Sequence, residues 1–177
     1  MKKIFKEVFD TALYLAVIFV LTFLFITFVA QRTQVIGRSM ESTLHSGDSI
    51  LIEKVSYRFG DPKRFDIIVF PYQYGNEEYF IKRVIGLPGE RVRIDNDGNI
   101  YINDQILEEN YGKETIEDPG RAITEVVLGD DEYFVMGDNR NHSMDSRDIS
   151  VGNIKKGDFL GRGFFRIYPF SDFGSIK

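Results

Sequence analysis

Apolar positions along this chain fall into two regimes. From Thr11 to Ala30 they run almost unbroken, with Leu, Val, Ile and Phe dominant and no charge; after Gly47 they come in short alternating runs cut by turn residues. The first regime predicts a membrane-spanning helix, since its 20 residues at about 1.5 Å each match the roughly 30 Å hydrocarbon core of a bilayer. A buried helix of a soluble core would show a polar face, and this stretch has none. A removable signal peptide is the other alternative. Against it, the apolar run exceeds a usual h-region, and cleavage after Ala30 would place bulky Phe28 where a small residue is preferred. Lys2, Lys3 and Lys6 precede the run, which puts the N-terminus in the cytoplasm. The expected layout is a cytoplasmic segment over 1–10, one uncleaved anchor over 11–30 and an extracytoplasmic domain over 31–177, localised at the cytoplasmic membrane.

The second regime predicts an antiparallel β-protein. Strands are expected at Ser49–Val55, Asp66–Pro71, Tyr79–Ile85 and Tyr133–Met136, and a last one at Asp158–Tyr168. Gly60-Asp61-Pro62 and Gly86-Leu87-Pro88-Gly89 break the pattern, and Tyr72–Glu78 reads as a polar connecting loop. Arg91–Ile94 and Ile100–Ile102 flank Asn96-Asp97-Gly98-Asn99, a hairpin with a favoured Asp-Gly turn. Residues 104–125 are acidic and contain Gly112, Pro119 and Gly120. They read as a long loop with little structure of its own, functional or mobile rather than core, and one that rims a substrate groove as a hypothesis. No internal repeat, heptad or phosphate-binding glycine loop is present.

Composition narrows the chemistry. A length of 177 residues suits one domain with a small insertion. There is no cysteine, hence no disulfide and no thiol nucleophile, and with only two histidines a structural zinc site is not expected. The net charge is −5, and residues 1–10 carry +1 from three lysines against Glu7 and Asp10. With 11–30 uncharged, residues 31–177 carry −6, an acidic domain unsuited to nucleic acid. The 16 Phe and 9 Tyr suit a β-rich core and leave apolar surface for lipid.

Three runs carry the candidate chemistry. Ser39 and Met40 sit in Gly37–Leu44, Lys82 and Arg83 in the apolar strand Phe80–Gly86, and Ser143, Asp145, Ser146 and Arg147 follow Gly137-Asp138-Asn139-Arg140. A serine hydroxyl is a poor nucleophile without an adjacent base. Strand alternation puts Lys82 on one face with Phe80 and Val84, and Ile81, Arg83 and Ile85 on the other. Apolar neighbours would desolvate the amine and lower its pKa from about 10.4 toward the 7–8 that a general base needs. Read by itself, Lys82 is better explained as an edge-strand lysine that reaches water; paired with Ser39, the balance reverses and it reads as the base. A Ser39–His142–Asp145 triad stays open as an alternative. Ser39 lies nine residues past Ala30, so it is tethered within about 30 Å of the outer membrane surface.

Taken together, Gly37–Met40 with Thr43-Leu44, Gly47–Leu51, Lys82–Glu90 and Gly137–Arg147 resemble the motifs of bacterial type I signal peptidases, in that family's order and behind an N-terminal anchor. The resemblance covers nearly the whole chain. It implies a mainly β, antiparallel catalytic domain with a small β cap inserted at about 91–133. It implies cleavage of signal peptides from exported preproteins, typically after an Ala-X-Ala pattern, with no metal or cofactor. The implied partners are those signal peptides, the lipid bilayer and the nearby export machinery. Ser39 would be the nucleophile and Lys82 the general base, with the Ser39 N–H helping to form an oxyanion hole and Met40 shaping the substrate site. Ser143 would orient the lysine amine, Asp138 would pair with Arg83, and Asp145 and Arg147 would brace the wall. Gly37 departs from Gram-negative relatives, which place an assisting serine there, and resembles the Gram-positive branch. Two rivals remain: a self-cleaving repressor-type serine/lysine protease, which would need a DNA-binding N-terminus, and a non-catalytic preprotein-binding module of the same fold.

Overall fold

The computed structural model describes residues 2–73 and 78–176, so the middle of the loop expected over Tyr72–Glu78 lies outside the described residues. Helix α1 spans Lys2–Phe28. It is longer than the anchor expected at 11–30 at its start and shorter at its end. The polar first turns continue the helix because Lys and Glu are good helix formers, while Ala30 already pairs as strand. Its apolar window has a mean hydropathy of 2.4, and none of it is buried against the rest of the chain. A helix apolar on every side with no protein cover has the character of a lipid-facing segment.

Beyond the helix the chain forms two antiparallel sheets. In chain order the strands are β1 (Ala30–Gln34), β2 (Ser49–Glu53), β3 (Ile67–Pro71), β4 (Tyr79–Gly86), β5 (Arg91–Ile94), β6 (Ile100–Ile102), β7 (Gln105–Ile106), β8 (Val126–Val127), β9 (Glu132–Met136), β10 (Ile154–Lys155), β11 (Gly161–Tyr168) and β12 (Gly174–Ser175), with one short helix, α2, at Ser56–Phe59. The large sheet has the order β1-β2-β11-β3-β4-β9-β10, and β12 pairs with β11. The small sheet, β7-β6-β5-β8, is made from the insertion between β4 and β9. The fold is mainly antiparallel β behind one apolar N-terminal helix.

Several boundaries differ from those the sequence predicts. β2 stops at Glu53, whose carboxylate accepts from Val55 N and Ser56 N and turns the chain into α2. Residues 156–158 form a 3-10 turn, so the last long strand starts at Gly161. Strand β1 was not foreseen; its sequence Ala-Gln-Arg-Thr-Gln has no apolar alternation, and it exists because Ala30–Gln34 pairs with Glu53–Ser49 of β2.

Alternation in β4 decides where the site lies. Phe80 and Val84 join the core of Ile68, Phe70, Tyr133 and Val135 on one face. Ile85, Phe134 and Met136 turn to the other face and meet Val92, Ile94 and Ala122 of the insertion. A third cluster, Val35, Met40, Leu44, Ile50 and Ile67, fixes the segment after β1 against the sheet. These apolar anchors place the turn carrying Ser39 beside the middle of β4.

Candidate active site

Ser39 sits in a tight turn stitched by Thr43 N and Leu44 N donating to the Met40 carbonyl, at 2.8 Å each. Met40 and Leu44 are fully buried and act as the pins of that turn. Gly37 has φ +97, a left-handed value that a side chain would strain, although space for a Cβ is open. A serine at that position would therefore meet a backbone cost rather than a steric one.

The Lys82 amine lies 2.7 Å from the Ser39 hydroxyl oxygen. Lys82 is only 3% exposed, and its nitrogen stands 4.8 Å from the centre of the Phe80 ring. Burial pushes the amine down from 10.5 to about 8, outweighing the pull of the Asp145 and Asp138 charges in the opposite direction. The Arg147 charge offsets part of that pull, and both carboxylates are held in ion pairs. Arg147 grips Asp145 through Nε at 2.9 Å and Nη2 at 2.9 Å, and Arg83 grips Asp138 through Nε at 2.8 Å and Nη2 at 2.7 Å. Near neutrality a useful fraction of Lys82 is therefore neutral. A neutral amine can accept the Ser39 Oγ–H, and a protonated one donates back, so the same 2.7 Å contact serves both steps.

Around this pair the other predicted residues divide into two groups. Asp138 and Arg83 form a fully buried pair; Thr43 donates to Asp138 at 2.5 Å, tying the nucleophile turn to the pair. Asp145 accepts from Gly137 N at 3.0 Å and so holds the strand end next to Ser39. Ser143 is close without touching the amine: its buried Oγ has no hydrogen-bond partner among the described residues. A Cβ on Gly137 would overlap both that Oγ and the Ser39 carbonyl, so only glycine lets the three segments meet. His142 is exposed on the wall and, among the described residues, no hydrogen bond links it to Ser39, whose hydroxyl meets Lys82 instead, so the His142 triad has no geometric support.

A groove of about 570 Å³ runs past Ser39 and Lys82. Its walls are Thr33–Met40 and Glu78–Lys82, with His142 and Met144 closing one side. No described residue of 104–125 lines it, so the acidic loop does not rim the groove. The loop packs instead on residues that support the site, Lys113 N donating to the Asp138 carbonyl at 2.8 Å and Lys113 Nζ pairing with Glu41 at 3.4 Å. Tyr111 stacks on the Arg83 guanidinium, 3.7 Å from the ring centre. Glu109 pairs with buried Arg140 at 2.7 Å, and Glu117, Asp118 and Arg121 line a separate polar cavity of about 520 Å³. Sequence reasoning quoted Thr43, Asn139 and Arg140 within the motifs without giving them a role, and missed Tyr111 and the Glu109–Arg140 pair. Only contact across the fold reveals them, since no periodicity marks a residue whose partner is many positions away.

A family model described as "Signal peptidase, peptidase S26" matches residues 8–168. The probable signal peptidase I-2 of Synechocystis sp. is 43% identical over 148 residues, an overlap of 81% of this chain and 65% of that relative. Signal peptidase I of Bacillus amyloliquefaciens is 36% identical over 179 residues, covering 97% of this chain and 94% of its own length. A crystal structure of a signal peptidase I from Enterococcus faecalis V583, 36% identical, aligns with 58% of this chain and 97% of that chain at a TM-score of 0.46. The chain belongs to the signal peptidase family, peptidase S26, a family of serine endopeptidases.

Proposed function

We propose that this protein is a membrane-anchored endopeptidase that removes signal peptides from exported preproteins, with Ser39 as nucleophile and Lys82 as general base. The observation that carries the proposal is the 2.7 Å contact between a serine hydroxyl and a lysine amine that burial brings to about 8. Family membership supports the substrate class.

In the proposed reaction the signal-peptide segment lies in the groove beside Ser39, with its scissile carbonyl carbon against Oγ. Neutral Lys82 takes the hydroxyl proton as Oγ bonds to that carbon. The oxyanion is stabilised by the Ser39 N–H. Collapse breaks the C–N bond, and the Lys82 ammonium returns its proton to the leaving amine, the new N-terminus of the mature protein. Lys82, neutral again, draws a proton from water as its oxygen attacks the Ser39 ester; collapse breaks the C–Oγ bond, the Lys82 ammonium returns that proton to Oγ, and the signal peptide leaves with a free carboxyl group. Met40 is proposed to shape the floor of the substrate site. Asp138 with Arg83, and Asp145 with Arg147, hold the walls. Ser143 is proposed to orient the amine once substrate adjusts the wall, its hydroxyl being buried and unpartnered.

The proposed topology is a cytoplasmic segment over 1–10, an anchor that starts at 11 as expected and ends with the helix at Phe28, and the catalytic domain from Ala30 onward on the outer face, with the insertion as a small cap. Nearness to lipid and to the export machinery follows from the tether. The test is cleavage of a preprotein with an Ala-X-Ala site by the purified protein in detergent, with mass analysis of the product and Ser39→Ala and Lys82→Ala in parallel. Cleavage after the second Ala by the wild type alone supports the proposal. Cleavage by Ser39→Ala would remove the nucleophile assignment.

A further inference from the structure

Asn139 is 1% exposed and reaches the nucleophile turn twice. Its backbone N–H donates to the Ser39 carbonyl at 3.0 Å, and its side-chain Nδ2 donates to the Arg38 carbonyl at 3.0 Å. The second contact matters more for chemistry. The Arg38 carbonyl and the Ser39 N–H belong to one peptide unit, which is trans. In a planar trans unit the C=O and N–H point in opposite directions. That carbonyl also accepts from Glu41 N within the turn, at 3.2 Å; the added grip of Asn139 from the buried side holds the unit with the Ser39 N–H turned away from Asn139. That N–H is not among the donors the turn uses for itself, which are Glu41 N, Thr43 N and Leu44 N. A hydrogen bond accepted at the carbonyl also polarises the unit and strengthens its N–H as a donor.

The Asn139 side chain is kept for its nitrogen. Its Oδ1 is buried with no partner among the described residues, a cost that an apolar residue of similar size would avoid. We propose that Asn139 is a positioning residue that sets the Arg38–Ser39 peptide so that the Ser39 N–H serves as a preorganised oxyanion donor. This rests on Ser39 being the nucleophile. With glycine at position 37 contributing no side-chain donor, the orientation of that one N–H carries more of the charge stabilisation.

The experiment compares wild type, Asn139→Ala, Asn139→Ser and Ser39→Ala on one preprotein. It also measures the affinity of each for a peptide aldehyde, which forms an oxyanion on the serine, and for an uncleavable peptide of the same sequence. In the Asn139 variants kcat is expected to fall about tenfold to a hundredfold, somewhat less than loss of a donor itself. KM and uncleavable-peptide affinity stay within twofold, aldehyde affinity falls in step with kcat, and the pH midpoint of cleavage stays fixed because Lys82 is untouched. If Asn139→Ala melts below the assay temperature, Asn139→Ser carries the comparison, and if both melt, the role assigned is overturned in favour of a purely structural one. Unchanged kcat, a matching loss of uncleavable-peptide affinity, or a moved pH midpoint would each overturn it as well. Full activity in Ser39→Ala would instead overturn the nucleophile assignment; a dead Ser39→Ala beside fully active Asn139 variants overturns this inference alone.

Discussion

Lys82 and Arg83 are neighbours in one strand whose side chains leave on opposite faces: one amine reaches the Ser39 hydroxyl at 2.7 Å, and one guanidinium closes on Asp138 at 2.7 Å. Strand alternation thus divides two tasks between adjacent residues. Lys82 enters a desolvated pocket as the proposed base, while Arg83 locks β4 to the Gly137 segment and, through Thr43, to the nucleophile turn.

Cleavage is expected to rise with pH. With the Lys82 amine at about 8, the neutral fraction grows about tenfold between pH 7 and pH 9. Initial rates across pH 6–10 measure this. A midpoint near 6.5 would point to His142 instead.

The same burial costs stability. Below about pH 8 folded and unfolded chains both hold the Lys82 proton, and the folded state bears the full desolvation cost. From about 8 to 10.5 only the unfolded chain still holds it, so stability rises with pH through that window and the cost is gone above it. Lys82→Met is therefore expected to be inactive yet more stable at pH 7, by up to about 3 kcal/mol. Thermal melts in detergent should show a Tm raised by several degrees at pH 7 and matching the wild type near pH 11.

The Arg83–Asp138 pair is buried on both sides. Asp138→Ala removes the bidentate carboxylate from a buried guanidinium and should cost about 3–5 kcal/mol. Adding Arg83→Met in that background should recover much of the loss. A double-mutant cycle of melting temperatures checks it, and additive losses would contradict it.

Tyr111 ties the acidic loop to the site by stacking on Arg83 and packing on Phe65 at 4.9 Å. Tyr111→Ala should lower stability by about 1–3 kcal/mol and reduce kcat several-fold with KM unchanged, because the loop stays out of the groove. Tyr111→Phe should keep both. A rise in KM alone would return the loop to the groove rim.

Legibility followed the range of the interaction. Strands that are short apolar runs bounded by turn residues, such as β3, β4 and β9, and the β5–β6 hairpin with its Asp-Gly turn are visible in sequence because their pattern is local. β1 is invisible because pairing with β2 makes it, and the two-residue strands β7, β8, β10 and β12 are too short to alternate. Ser39, Lys82, Arg83 and Asp138 were readable as a set through motif resemblance, and Lys82's apolar face was readable from alternation alone. The roles of Asn139, Thr43 and Tyr111 were not, since each acts on a partner 28 to 101 positions away. The placement of the acidic loop depends on Tyr111 finding Arg83, which no local pattern encodes.

The most direct test of the central claim is the mass of the covalent intermediate. A preprotein or signal-peptide ester is mixed with the protein, quenched in acid during turnover and mapped by proteolysis and mass spectrometry. An ester-linked signal-peptide adduct on Ser39, absent from both Ser39→Ala and Lys82→Ala, is the predicted result. An adduct on any other residue, or one that forms equally well without Lys82, would contradict the Ser39–Lys82 assignment.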